Sequence, residues 1–371
     1  GALVGLWLGS LEAAALRGGQ TALDLLLALF SDANADVRSA AATAVASFAS
    51  SASDAIEPGS GSDSGDGGTG GPGPRPVSNW LWRAALEGAL ALCRDRSDKA
   101  RAAAIRCAGI LAELRLDCVE EEETEEGEAE CVPAGAPPGL VPPEPEADAA
   151  PGRPLQARLA EELARCVSTS PAKCQWGACR AVGQLYRSGA ILRCRSWREG
   201  GESGPQDAHL ALLGALCREV AGAANMKVRI QAAQALQQIP AEPSLWAPPE
   251  ADAVLAALCD SLQLLQGGQA PRGPAEDRNT LTYIKALRTE LRSLGQHWAR
   301  CAPENPGEAA LQKAVTCSEL LRDLLREAEF GTTVAPAAAW DEDEGTSADA
   351  PELDQAGGSL LAKRLQAVLR E

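Results

Sequence analysis

The sequence predicts an all-α fold in which helix pairs stack into an α-α superhelix, interrupted by long disordered insertions. Strong helix formers dominate the 371-residue chain. Aromatic residues make up only 4% of it, so the core must be built mostly from Ala and Leu. Two stretches, Asp36–Val45 and Asn225–Leu236, each place a Val-Arg pair before an alanine-rich run. A phrase that recurs after tens of residues is typical of stacked repeats.

The first helix pair shows the pattern best. We expect its helices at Thr21–Phe30 and from Asp36 to Phe48, with Asp36 as the N-cap of the second helix. Apolar residues three and four positions apart give that second helix one buried stripe: Val37, Ala41, Ala44, Val45 and Phe48. The later pairs are expected at Trp80–Cys93 with Asp98–Leu114, Leu155–Val167 with Pro171–Tyr186, Asp207–Ala221 with Met226–Gln238, and Ala251–Leu265 with Arg278–Trp298. Two further helices are expected at Glu308–Ala328 and Leu360–Leu369.

Insertions separate these pairs. The equivalent positions Arg38, Arg101, Gln175 and Arg229 are 63, 74 and 54 residues apart, whereas a bare repeat of this kind takes roughly 40–47 residues. The excess is rich in Gly, Ser, Pro and acidic residues, which cannot bury enough apolar surface to become ordered. We therefore divide the chain into N-terminal helices with a first repeat (1–50), a Gly/Ser/Pro linker (51–77), a second repeat (78–117), an acidic Pro-rich insertion (118–153), a helical array (154–329) and an acidic tail with a short helix (330–371).

The recurring phrase resembles the HEAT repeat, an armadillo-type α-solenoid family. There the second helix opens with an Asp-x-Val-Arg phrase, and an Asp lies in the preceding turn. The resemblance implies a structural ladder of turn Asp and helix Arg between neighbouring repeats: Asp32, Arg38, Asp95, Arg101 and Arg229. The alternative is that the arginines contact a ligand. Thr169 and Gln175 in the third repeat and Ala223 in the fourth depart from the pattern.

The resemblance also implies a non-catalytic scaffold that binds other proteins along its concave surface. Lysines recur at the start of successive second helices, at Lys99, Lys173 and Lys227, although a Lys there opposes the helix dipole. We take them, with Trp176 and Arg180, as candidate partner-binding residues. The alternatives are a solvated helix start for the lysines and a core-packing role for Trp176.

The charge argues against direct binding of nucleic acid, because the formal net charge is −17 and the estimated pI is 4.7. Many of the acidic residues lie in Glu120–Glu130 and Asp341–Glu344. The rest of the chain is therefore closer to neutral and compatible with a local basic surface. Three interpretations of Glu120–Glu130 remain open. It is a solvated acidic segment, it attracts a basic partner protein, or it competes with partners for a basic surface of the same chain.

The compartment is expected to be intracellular, cytoplasmic and/or nuclear. Twelve cysteines without a CxxC pair indicate reduced thiols, and no apolar run is long enough to span a membrane. Gly1–Leu16 contains Glu12 and no basic leader, so it makes a poor signal peptide. Because the chain does not begin with Met, we expect that its true start lies upstream.

Catalytic patterns are missing from the sequence. His209 and His297 stand apart and form none of the His-Glu pairs by which HEAT-like iron hydroxylases bind metal. We also find no phosphate-binding glycine loop and no nucleophile elbow. We therefore predict no catalytic residue, cofactor or metal. The alternatives to a scaffold are a karyopherin-like receptor or adaptor whose acidic inner surface grips basic cargo, and a bilin-lyase-like HEAT enzyme.

Overall fold

The computed structural model describes residues 22–56, 79–113, 155–189, 191, 205–242, 245–266, 274–301, 307–317 and 319–321. Within these residues the regular structure is helical and no strand occurs, which confirms the predicted all-α class. Helix α1 (22–28) continues into a 3-10 turn, Leu29–Ser31. The helices that follow are α2 (Ala35–Ile56), α3 (Asn79–Leu92), α4 (Asp98–Leu111), α5 (Leu155–Thr169), α6 (Ala172–Arg187), α7 (Pro205–Gly222), α8 (Met226–Gln237), α9 (Pro248–Gln266), α10 (Pro274–Cys301) and α11 (Glu308–Thr316).

The chain divides into two compact units. The first contains Gly1–Cys166 and Ser188–Ala208, and the second contains Val167–Arg187 and His209–Glu371. In the first unit, α4 packs against both α2 and α3. In the second unit, α8 packs against both α6 and α10, while α9 packs against α10 and α11. The second helices of successive repeats therefore stack directly on one another within each unit.

The predicted start of α2 needs a correction. The helix begins at Ala35, and the side chain of Asn34 accepts a hydrogen bond from the Asp36 amide at 2.9 Å. Asn34, and not Asp36, therefore caps the helix. Asn225 caps α8 in the same way, because its side chain accepts from the Lys227 amide at 2.9 Å.

Helix α2 also ends later than expected, at Ile56, so it extends into the segment predicted to be a linker. The hydroxyl groups of Ser50 and Ser51 donate to backbone carbonyl groups four residues earlier, those of Ala46 and Ser47. The predicted segments that lie outside the described residues include the N-terminal helices before residue 22, 57–78, 114–154, the end of the Glu308–Ala328 helix, and the acidic tail with the Leu360–Leu369 helix.

The core consists mainly of Ala and Leu, and Trp298 and Tyr186 are its largest fully buried side chains. The nine cysteines that the structure describes are free thiols, and eight of them are buried. Burial raises the pKa of Cys107 and of Cys217 to about 12, so both stay protonated and pack as small apolar groups. None of the described helices is both long enough and apolar enough to span a bilayer.

Candidate protein-interaction surface

The ladder arginine of the first repeat lies between two turns. The Nε and Nη2 atoms of Arg38 donate to the two carboxylate oxygens of Asp95, at 2.7 and 2.9 Å. Its Nη1 atom donates to the backbone carbonyl of Asp32 at 2.7 Å, while the Asp32 carboxylate accepts from the Asn34 amide. The Arg38 guanidinium lowers the pKa of Asp95. Arg38 thus connects the turn of its own repeat to the turn of the next one.

The other two predicted ladder arginines have different partners. Arg101 donates to Asp98 within α4, and its charge contributes to the lowered pKa of Asp95. Arg229 is buried, with its Nε atom 3.2 Å from the Val220 carbonyl oxygen and its Nη2 atom 2.7 Å from the Ser261 hydroxyl. Burial lowers the pKa of Arg229. Sequence reasoning missed Ser261, whose only signal is a polar residue within the apolar pattern of α9.

Gln175 occupies the arginine position in the third repeat. Its side-chain amide donates to the carbonyl of Val167 at 2.9 Å, so it connects the start of α6 to the end of α5. Arg229 makes the corresponding bond between α8 and α7, through Val220. The side chains at this position point into the protein, and the outer surface is formed by their neighbours.

The three recurrent lysines occupy the same place in their helices. Lys99, Lys173 and Lys227 are each the second residue of their helix, and all three are exposed. The ammonium group of Lys99 lies 2.7 Å from a carboxylate oxygen of Asp36, and both side chains are exposed. The Lys227 ammonium lies 5.7 Å from the centre of the Tyr283 ring, within the range of a cation–π contact.

The remaining candidates lie on α6. Trp176 and Arg180 follow Lys173 by three and seven residues, so the three side chains share one stripe of the helix. Lys173 and Arg180 are exposed and Trp176 is half-buried. We use the name α6–α8–α10 face for Lys173, Trp176, Arg180, Lys227 and Tyr283.

The helices that carry this face run parallel. Lys227 and Tyr283 meet near the start of α8, whereas Gln234 donates to Glu290 at 2.9 Å farther along both α8 and α10. Arg187, at the end of α6, donates to Gln238 just beyond α8 at 3.2 Å. Because all three helices point the same way, Lys173, Lys227 and Tyr283 lie toward the same edge of the stack.

The two histidines contribute to packing. His209 is fully buried, with its Nδ1 atom 2.9 Å from the Tyr186 hydroxyl and its Nε2 atom 3.3 Å from the Leu245 carbonyl oxygen. His297 donates from Nε2 to the Ile239 carbonyl at 2.9 Å, and burial lowers its pKa to about 4. No group of three or more His, Cys, Asp and Glu side chains in the described part of the chain is placed to hold a metal ion.

An open groove of about 500 Å³ lies between two first helices of the second unit. Its lining comes from the end of α7 and from α9: Arg218, Ala221, Gly222, Asp260, Gln263 and Leu264. Asp260 is also paired with Lys313 at 2.7 Å.

The first helix pair matches the HEAT repeat. The family model for this repeat covers residues 22–52, which are α1 and most of α2. A search of curated proteins finds no match. Solved structures that resemble the chain include an engineered protein, 15% identical, which covers 94% of this chain and 95% of its own with a TM-score of 0.46. A designed armadillo repeat protein is 12% identical and covers 94% of this chain and 98% of its own, with a TM-score of 0.44.

Proposed function

We propose that this protein is a non-catalytic HEAT-type scaffold that binds other proteins through the α6–α8–α10 face. The observation that carries the proposal is the presence of exposed basic and half-buried aromatic side chains on neighbouring second helices. Trp, Tyr and Arg are the residues that dominate binding energy at protein interfaces. In HEAT arrays the second helices line the concave side, which is where partners bind.

The interior contacts support this proposal because they hold the face rigid. Arg229 and Gln175 tie the starts of α8 and α6 to the preceding helices. Gln234 and Gln237 both bond to Glu290 and so join α8 to α10. A surface that is ordered before binding loses less conformational entropy when a partner docks.

The proposed family relation has a narrower form. The segment Lys173–Gly183, followed by Lys227–Ala233, resembles the C-terminal part of HEAT repeat-containing protein six. That relative has no established activity to transfer. The relation therefore supports the family assignment, and the kind of partner has to be inferred from the residues of the surface.

The alternatives fit the geometry less well. A karyopherin-like receptor for basic cargo requires an acidic inner surface, but α6 and α8 contain no Asp or Glu. It also predicts salt-sensitive binding of Lys/Arg-rich segments. A bilin-lyase-like enzyme predicts bound pigment, which an absorption spectrum of the purified protein would reveal.

Affinity purification with the full chain, followed by mass spectrometry, tests the scaffold proposal. We compare the wild type with Trp176→Phe and Arg180→Glu on the face, and with Leu264→Ala in the groove between α7 and α9 as the matched control. Partners that bind through the face should be lost from both face variants and retained by the control. Hydrogen exchange should show that the partner protects amides of α6 and α8.

The opposite pattern would contradict the proposal. If every partner is retained by both face variants, or if partner-dependent protection avoids α6 and α8, the α6–α8–α10 face is not the binding surface.

A further inference from the structure

Three helices of the second unit differ sharply in charge. Helix α6 contains three basic residues and no acidic one, and α8 contains two basic residues and no acidic one. Helix α9, a first helix, has the reverse composition: three acidic residues and no basic one. In a chain whose formal net charge is −17, two neighbouring helices without an acidic residue, α6 and α8, are a local exception.

The positions of the cations on that surface suit an acidic ligand. Lys173 and Lys227 are exposed in the first turns of parallel helices, where the backbone amides add positive potential. Two lysines there destabilise the free protein slightly, and a bound carboxylate would remove that cost. Glu290, on the neighbouring α10, bonds to Gln234 and Gln237, which lie about two to three turns farther along α8 than Lys227.

The aromatic side chains of the face give it an apolar part as well. Trp176 lies on the α6 stripe between Lys173 and Arg180 and is half-buried, so part of the residue remains accessible. Tyr283 lies beside Lys227. A ligand that carries carboxylates flanking an apolar side chain would therefore match the order of groups along α6.

We propose that the α6–α8–α10 face binds an acidic segment of a partner protein, with carboxylates on Lys173, Arg180 and Lys227 and an apolar side chain against Trp176. This inference rests on the proposed scaffold function and specifies the chemistry of its partner. A nucleic acid is a poorer match, because the phosphate backbone would be repelled by the rest of the chain and would meet few exposed cations.

The test is a binding titration of the full chain with a fluorescein-labelled peptide of mixed Glu and Leu residues. The comparison probes are the same peptide with Lys at every Glu position and a labelled single-stranded oligonucleotide. We expect the Glu peptide alone to bind. Its Kd should rise about tenfold when NaCl is raised from about 50 mM to about 300 mM, because salt screens exposed charges.

Two triple variants with the same change in net charge separate a local effect from a global one. Lys173→Glu, Arg180→Glu and Lys227→Glu together should raise the Kd of the Glu peptide at least about tenfold. The control combines Arg96→Glu, Arg106→Glu and Arg300→Glu, three exposed residues outside the face, and should change it less than about threefold. If charge reversal impairs folding, the Gln triple at the same face positions replaces it, with a smaller loss expected.

The results of these titrations distinguish an acidic partner segment from the other ligands that the face could bind. Equal weakening by both triples, or preferential binding of the Lys peptide or the oligonucleotide, would overturn the proposal. Binding that occurs only after deletion of Glu120–Glu130 would also overturn it, because the face would then serve the chain's own acidic run. If the Glu peptide does not bind but Trp176→Phe still loses partners, the acidic assignment fails and the scaffold function stands.

Discussion

Two residues of the recurring phrase, Arg229 and Lys227, lie two positions apart and have opposite environments. Arg229 is buried against Val220 and Ser261, whereas Lys227 is exposed beside Tyr283. Successive residues of an α-helix are rotated by about 100°, so residues two apart face nearly opposite sides. One phrase therefore supplies both the interior contact and the exposed cation in this repeat. The second repeat has the same pair at Lys99 and Arg101, whereas the first has Asp36 at the lysine position.

Arg229 and Ser261 provide the first prediction. Replacing Arg229 with Met leaves the Val220 carbonyl and the buried Ser261 hydroxyl without that donor, and we expect a loss of about 3 kcal/mol in the free energy of unfolding. Ser261→Ala should cost about 1 kcal/mol, since Arg229 keeps its carbonyl partners. Urea denaturation of both single variants and the double variant measures the coupling, which we expect to be about 1 kcal/mol.

Lys227→Met is the matched control for that cycle. It removes an exposed side chain from the same helix and should change the free energy of unfolding by less than about 0.5 kcal/mol. Strictly additive losses in the cycle would show that Arg229 and Ser261 do not stabilise the protein through each other.

At the scale of helices, sequence periodicity predicted the pairs well and their ends less well. The start of α8 at Met226 was predicted correctly, because the Val-Arg phrase marks it. The end of α2 was not, because Ser50 and Ser51 suggest a linker by composition. In the helix their hydroxyls bond to carbonyls of the preceding turn, so a local hydrogen bond offsets their weak helix propensity.

The face itself was only partly accessible to sequence reasoning. Lys173, Lys227 and Trp176 follow from the repeated phrase, since it fixes their place in each second helix. Tyr283 and Glu290 lie on α10, where the phrase has decayed, and they contact residues 53 to 56 positions earlier in the chain. Such contacts depend on how two helices stack, and no pattern within either helix encodes that register.

Glycines in two helices give the second prediction. A Cβ atom at Gly88 in α3 would lie 2.7 Å from the buried Phe30 ring, whereas one at Gly183 in α6 would lie 3.4 Å from the Ala235 backbone. We expect Gly88→Ala to destabilise the protein by about 1–2 kcal/mol through overpacking. Gly183→Ala should be neutral or stabilising by up to about 1 kcal/mol, because Ala is the better helix former.

Thermal or urea unfolding of both variants measures this difference. Both changes replace Gly with Ala inside a helix, so the gain in helix propensity is the same in the two variants. The difference between their free energies of unfolding therefore reports how closely α3 and α6 approach their neighbours. If both variants gain stability alike, Phe30 does not pack against α3 as the structure has it.

At the scale of the whole molecule, most ionisable side chains lie at the surface and the few buried polar groups are exceptions. The described interior holds mostly apolar side chains and thiols, together with a few bonded polar groups such as His209 and the Arg229–Ser261 pair. The exposed basic residues of the second unit include those of the α6–α8–α10 face. The chain carries many carboxylates, so its stability should respond to acid through several groups. His297 provides a way to isolate one of them.

His297 gives the third prediction, on the pH dependence of stability. Burial lowers its pKa from 6.5 to about 4, with Ile239 accepting from Nε2 and Arg300 nearby. The unfolded chain therefore takes up a proton at higher pH than the folded one. The resulting stability is complete above about pH 6.5 and is lost as the pH falls toward about 4. Its loss between pH 7 and pH 4.5 should be about 2 kcal/mol.

Urea denaturation at pH 7 and at pH 4.5 measures this loss as the difference between the wild type and His297→Gln, whose amide can still donate to Ile239 but does not titrate. The carboxylates contribute equally to both proteins, so the wild type should lose more stability than the variant between pH 7 and pH 4.5. Equal losses in the two proteins would show that His297 is protonated as readily in the folded protein as in the unfolded chain.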